Sequence, residues 1–132
     1  MEIKVNTGLV TYNLGGKVEV EFNPTDIAFG DRIYRAIDAL CAIQERAYPE
    51  ETRDFLAFMM ENDEEARDII DGLFDKEVCR PLFGLVSVFA LADGLPLWAN
   101  LLMAILQQMK EGSDKRIKEV EKKIAKYTKD YD

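Results

Sequence analysis

The sequence contains no histidine and only two cysteines. Without histidine, the chain has no Ser–His or Cys–His nucleophile pair, no histidine ligand for zinc and no ordinary general base near neutral pH. Two cysteines cannot complete a four-thiolate zinc site within one chain. These absences predict a protein that is not an enzyme and that uses no cofactor and no metal. They turn attention to binding surfaces.

Long uninterrupted apolar runs are also lacking. Residues 85–106 are the most apolar stretch, but Asp93, Gly94 and Pro96 divide it. The undivided part is shorter than the roughly 18–20 residues that a membrane-spanning helix needs. The stretch therefore predicts a buried core helix. The first residues, MEIKVNTG, do not place a cationic start before an apolar segment, so we expect no secretory signal there.

Positive charge is scarce in most of the chain. The net charge of −8 disfavours nonspecific binding to nucleic acid or to anionic membranes. Residues 1–112 carry ten Lys/Arg against twenty Asp/Glu, whereas residues 113–132 carry seven against five. Residues 50–77 hold eleven acids and three cations. This pattern predicts a strongly negative helical face, which is either simply solvated or a docking face for a basic partner.

The acids of this region also raise a metal hypothesis. Asp63, Glu65 and the Asp71–Gly72 pair do not fall into the spacing of a calcium-binding loop. One metal hypothesis remains as an alternative to a protein without a metal. In it the protein is an enzyme, and carboxylates around residues 63–75 alone hold a divalent ion.

The two cysteines and the methionines lie among apolar residues on predicted helices. Cys41 and Cys79 are typical of buried thiols in a reducing compartment. Trp98 and the methionines are predicted in the core, although methionine-rich faces also suit adaptable binding grooves. These methionines are Met59, Met60, Met103 and Met109.

Residues 9–22 predict a β-hairpin. Val18, Val20 and Phe22 alternate with charged residues, as in a half-buried strand, and Asn-Leu-Gly-Gly supplies a tight turn. Ile3 and Val5 are a candidate third short strand.

Helical periodicity and capping residues dominate the rest of the chain. We predict helices over five segments, at 25 or 31–47, 50–73 (as one helix or two), 75–83, 96–110 and 113–132. Gly112-Ser113-Asp114 is interpreted as a helix stop followed by a new cap. The predicted fold is α+β, a single domain over residues 1–132. It has an N-terminal hairpin region (1–23) packed on a mainly α-helical bundle of about five helices, which comprises a helical core (24–112) and a C-terminal amphipathic helix (113–132).

The last predicted helix has a narrow apolar seam at spacings of 3, 4, 3 and 4. Such a seam either folds back on the protein's own core or binds another helix, of a partner or of a second copy. It is our candidate partner-binding site and a candidate route to a homo-oligomer. Its residues are Ile117, Val120, Ile124, Tyr127 and Tyr131.

Four phrases of the sequence resemble a known family. They are VEVEFNPTD (18–26), VCRPLFG (78–84), ALADGLPLWANLL (90–102) and KYTKDY (126–131). They are similar to small proteins encoded in the tail-gene clusters of phages and prophages of Gram-positive bacteria. The resemblance implies a tail assembly chaperone in the cytoplasm of the bacterial host. Its partner would be the helical tape-measure protein or the tail-tube protein. The net charge and the divided apolar stretch, for their part, predict no nucleic-acid or membrane partner. A structural tail component, using the hairpin or the C-terminal helix for subunit contacts, is the alternative.

Overall fold

The computed structural model describes the backbone of residues 1–129, and beyond residue 115 it describes side chains only at Lys118 and Lys122. The described part contains two small antiparallel hairpins and four helices. In chain order the elements are β1 (Val10–Leu14), β2 (Val18–Phe22), α1 (Ile27–Gln44), α2 (Thr52–Phe74), α3 (Cys79–Phe83), β3 (Leu91–Ala92), β4 (Leu95–Pro96) and α4 (Leu97–Lys129). The predicted α+β class is confirmed.

The predicted N-terminal hairpin is present. β1 pairs with β2 from Val10 opposite Phe22 to Leu14 opposite Val18. Gly15 and Gly16 form the turn with φ of +61° and +72°, a left-handed conformation that glycine adopts without strain. The candidate third strand was wrong, because residues 1–9 form no strand.

A row of aromatic rings attaches this hairpin to the helices. Tyr12 stacks on Phe22 with ring centroids 4.4 Å apart, and Phe22 stacks on Phe29 of α1 at 5.0 Å. Phe29 then meets the ring of Phe74, the last residue of α2, edge-on at 6.0 Å. Each such pair stabilises the fold by about 0.5–1.5 kcal/mol beyond the area that it buries. The hairpin therefore packs on the helices, as the alternation of its residues predicts.

Helix α1 lies within the first segment for which helical periodicity predicts a helix. The carboxylate of Asp26 accepts a hydrogen bond from the backbone N–H of Ala28 at 2.9 Å and caps the helix. At the other end, Trp98 Nε1 of α4 donates to Gln44 Oε1 at 2.7 Å. The buried residues recur at spacings of 4, 3, 4 and 3, namely Phe29, Ile33, Ala36, Leu40 and Ile43.

Helix α2 is a single helix, which settles the choice that the sequence left open for residues 50–73. It ends at Asp75, whose φ of +48° turns the chain out of the helix. Its C-terminal half contributes Ala66 and Ile70 to the core, and both side chains are fully buried.

Helix α4 is continuous, so the predicted stop at residues 112–114 was wrong and four helices replace the expected five or so. The reason is a close approach. A Cβ atom added at Gly112 would lie 2.9 Å from the Cβ of Pro24, closer than real side chains come. Glycine is therefore required here by packing against residue 24 instead of by a helix end. The predicted 113–132 helix is the C-terminal part of α4 as far as residue 129.

The break before α4 is a second hairpin. Asp93 and Gly94 have φ of +55° and +77°, which is typical of the two central residues of a type I′ turn. Leu95 and Pro96 form strand β4, so Pro96 immediately precedes the helix that we expected it to open.

The core contains Trp98 of α4, which is 5% exposed, as predicted. The predictions for the methionines and the cysteines were partly wrong. Met60 and Met103 are exposed, and Cys41 is exposed while Cys79 is buried. Within the described residues, no helix combines the length and the apolar character that a membrane crossing requires.

Candidate protein-binding site

The segment of residues 84–90, here called the display loop, is fastened to α2 by one ion pair and its neighbouring hydrogen bonds. Arg67 pairs with Asp63 at 3.0 Å (Nε to Oδ2), and these side chains are only 17% and 19% exposed. Arg67 Nη2 donates to the carbonyls of Gly84 at 2.9 Å and Val86 at 2.6 Å. Asp63 Oδ1 accepts from the N–H of Val88 at 2.7 Å. The loop backbone is thereby fixed against the middle of α2.

The side chains that fasten the loop belong to a longer stripe on α2. Leu56, Met60, Asp63 and Arg67 follow one another at spacings of 4, 3 and 4, which places them along one side of the helix. The charged half of this stripe holds the display loop, whereas the apolar half extends beyond it. Leu56 and Met60 are 58% and 74% exposed.

The display loop adds apolar side chains to the same area. Leu85 is 87% exposed and Val86 is 53% exposed, although the loop that carries them is held by hydrogen bonds. Between the loop and α2 lies an open cavity of about 470 Å³. It is lined by Phe55, Leu56, Met59, Met60, Asp63, Leu85, Ser87, Phe89 and Ala90. We call this cavity the α2 groove.

A smaller cavity of about 200 Å³ adjoins the α2 groove, and Met59 and Phe89 line both. Its wall is fixed by Arg46, which follows α1. Arg46 Nη1 donates to Asn62 Oδ1 at 2.9 Å, and the guanidinium binds both carboxylate oxygens of Glu65, at 2.8 and 3.1 Å. This hydrogen bonding lowers the pKa of Glu65. The groove thus lies between two segments that are held to α2 by hydrogen bonds, namely the display loop and the segment that follows α1.

Met59 and Met60 of this groove were predicted from the sequence to lie in the core. The spacing of the buried residues of α2 shows which of its apolar positions face the core and which do not. Counting back in steps of four from Ile70 gives Ala66 and then Asn62, both buried. Leu56 and Met60 lie off that progression. No local pattern indicates Leu85, because its position depends on hydrogen bonds to a residue 17–19 positions earlier.

Two further cavities flank α4. One, of about 500 Å³, lies where α4 passes the start of α1, near Gly30 and Met109. The other, of about 830 Å³, lies between β1 and α4 and includes Glu111, Asp114 and Lys115. Its lining mixes both charge signs with polar groups, and no continuous apolar strip runs through it. The α2 groove differs from both in combining the exposed side chains of Leu56, Met60 and Leu85 in one cavity beside a fastened loop.

The acids of α2 do not form a cluster suited to a metal. Across the described residues, no group of three or more His, Cys, Asp or Glu side chains is placed to hold an ion. Asp63 is engaged with Arg67 and the display loop. Asp71 Oδ1 accepts hydrogen bonds from the N–H groups of Val78 and Cys79, each at 2.9 Å, at the start of α3. These carboxylates organise the backbone.

The thiol of Cys79 is not a nucleophile in this setting. Burial raises its pKa, and the neighbouring Asp71 carboxylate raises it further. Its Sγ donates a weak hydrogen bond to the carbonyl of Arg67 at 3.9 Å. A thiol that stays protonated is unreactive near neutral pH.

The partner-binding seam expected from the sequence lies almost entirely outside the described side chains. The backbone of α4 passes through its first four positions, but the side chains of Ile117, Val120, Ile124 and Tyr127 are not among those described. Tyr131 lies beyond the last described residue. The seam therefore stays a prediction.

Comparison with known proteins supplies no relative for this site. The chain matched no protein-family model, no curated protein and no solved structure.

Proposed function

We propose that this protein is a non-enzymatic assembly chaperone that binds a helical protein partner in the α2 groove. The observation that carries the proposal is the display loop. It holds Leu85 in water, 87% exposed, beside the exposed Leu56 and Met60. Contiguous apolar surface of this kind on a folded protein marks an interaction site.

The hydrogen bonds that hold the loop support a binding role for the exposed side chains of Leu85 and Val86. A loop without hydrogen bonds is free to turn an apolar side chain inward, where burying a leucine stabilises by about 1.5–3 kcal/mol. Here Arg67 and Asp63 fix the backbone on either side of Leu85 and Val86, with the side chains outward. The groove is accordingly available before a partner arrives.

The partner follows from the resemblance of the sequence to phage tail-cluster proteins. A tape-measure protein is long, helical and prone to aggregate until tail-tube subunits surround it. A groove lined by methionine and leucine suits such a partner, because the flexible thioether side chain adapts to varied apolar surfaces. We place this activity in the cytoplasm of the bacterial host, with the tape-measure protein or the tail-tube protein as the partner.

Co-expression with the tape-measure protein encoded nearby tests the proposal. We expect wild-type protein to raise the soluble fraction of the tape-measure protein and to co-purify with it. Met60→Glu is expected to abolish both effects, since it places a charge in the groove. Met103→Glu is the matched control, because Met103 is also exposed, at 57%, but lines no cavity described above. Equal loss in both variants, or no effect of the wild type, would refute the proposal.

A structural tail component is the second candidate. Within the described part of the chain, β1 is paired only with β2, so the hairpin offers an edge to which a neighbouring subunit can add a strand. Mass spectrometry of purified particles separates the two functions, since a chaperone is absent from the finished tail. Deleting residues 113–132 tests the C-terminal seam. An unchanged number of subunits per oligomer would remove the seam as the interface.

A further inference from the structure

We infer that the α2 groove selects a basic amphipathic helix over helices of other charge. This inference rests on the function proposed above and specifies the chemistry of the partner. It depends on two features of the described residues: the length of the apolar strip and the row of carboxylates beside it.

The strip is the right size for one face of a helix. Its lining on α2 runs from Phe55 to Asp63, which is about 12 Å at 1.5 Å per residue. That length matches about two turns of a partner helix, whose apolar residues recur every three or four positions. The adjoining cavity beyond Met59 and Phe89 extends the strip for a further apolar side chain.

The carboxylates follow the strip along α2. Glu64 comes one turn after Met60, and Asp68 one turn after Glu64, so the row continues the exposed side of the helix. Both residues are exposed, and neither forms an ion pair with any side chain that the structure describes. The apolar strip is therefore bordered by negative charge that is free to meet a cationic side chain.

The cations of this region lie apart from Glu64 and Asp68 or are already engaged. Arg53 precedes Glu64 by eleven residues, about 16 Å along α2, and Arg67 is engaged by Asp63 at 3.0 Å. Lys76 Nζ donates to the backbone carbonyl of Glu19 at 2.5 Å, on the hairpin. A helix with leucines on one side and lysines or arginines on the other satisfies both parts of the surface, whereas an acidic helix meets repulsion.

Full-length protein titrated into fluorescent synthetic peptides tests the inference by anisotropy. Three peptides of about 18 residues, or about five helical turns, are needed. The first has a leucine stripe and a lysine face, the second the same stripe and a glutamate face, and the third the first composition scrambled to remove the stripe. We expect the first to bind at least about tenfold more tightly than either other peptide, with affinity falling as salt rises.

The charge row is tested by reversing it. We expect Glu64→Lys/Asp68→Lys to weaken binding of the basic peptide about tenfold, the effect of losing two ion pairs and gaining two repulsions. Glu19→Lys/Glu21→Lys, on the exposed side of β2, changes the net charge equally and should leave binding within about twofold.

Each other outcome overturns the inference in an identifiable way. Equal binding of the acidic and basic stripe peptides removes the charge selection but leaves a helix-binding chaperone, if co-expression still raises tape-measure solubility. Equal loss in the two reversed variants assigns the effect to net charge. Sedimentation that shows salt-sensitive self-association, lost in Met60→Glu, makes a second copy of this chain the occupant.

Discussion

Removing the guanidinium of Arg67 should destabilise the protein and release the display loop. Arg67→Ala deletes the ion pair to Asp63 and two hydrogen bonds to loop carbonyls. Breaking a fully buried pair costs about 3–5 kcal/mol, but these side chains are 17% and 19% exposed, so water recovers part of the loss. We expect the free energy of unfolding to fall by about 2–3 kcal/mol.

The assay is urea denaturation followed by the fluorescence of Trp98, the only tryptophan. The backbone N–H of Trp98 donates to the carbonyl of Val88 at 3.1 Å, so the probe adjoins the display loop. Amide exchange should become faster at the N–H of Val88, whose acceptor is the carboxylate of Asp63. Arg67→Lys keeps the charge but not the planar fork, and should lose about 1–2 kcal/mol.

Arg35→Ala is the matched control. Arg35 also pairs with an aspartate four residues earlier, Asp31, at 2.9 Å, but these side chains are 80% and 59% exposed. Exposed pairs contribute little, so we expect a loss within about 0.5 kcal/mol. If Arg67→Ala costs no more than Arg35→Ala, or leaves amide exchange at Val88 unchanged, the display loop is not held as described.

Two further predictions concern packing and reactivity. Gly112→Ala should destabilise the protein despite the better helix propensity of alanine, because the new methyl group meets Pro24 at 2.9 Å. Gly72→Ala meets nothing within 4 Å and should instead stabilise by about 1 kcal/mol, as denaturation midpoints would show. A thiol reagent near pH 8 should modify Cys41 rapidly in the folded protein, and Cys79 only on denaturation, because burial raises the pKa of Cys79. Fast modification of both thiols would contradict that burial.

Where the fold depends on local periodicity, the sequence predicted it well. Helix α1 buries Phe29, Ile33, Leu40 and Ile43 in the stripe expected of an amphipathic helix. The first hairpin likewise follows from alternation and a glycine turn. These features depend on residues close together in the sequence, so the sequence pattern is enough to predict them.

Where a contact between distant segments decides, the local reading was wrong. Gly112 is typical of a helix stop, yet α4 continues through it, and the glycine instead leaves room for Pro24, which lies against it. The Asp93–Gly94 pair is a strong hairpin signal, but two-residue strands are too short for alternation to reveal. Helix propensity and turn chemistry are both local. At Gly112 the low helix propensity of glycine did not end the helix, because tertiary packing outweighs propensity.

The candidate site was harder to predict than the fold. Met60 and Leu56 are apolar residues on a helix, and only their position off the progression Ile70, Ala66 and Asn62 separates them from the core face. The exposure of Leu85 depends on hydrogen bonds between Arg67 and a loop 17–19 residues away. Charge was more informative, because the acidic run over residues 50–77 is visible in the sequence and borders the groove.

The most direct test of a partner-binding α2 groove is methyl NMR of the five methionines, labelled with carbon-13, with and without the tape-measure protein. Met60 and Met103 are both exposed, at 74% and 57%, and lie on different helices. We expect the signals of Met60 and Met59 to shift or broaden on binding while that of Met103 stays in place. A complex in which Met103 shifts and Met60 does not would contradict the assignment of the groove.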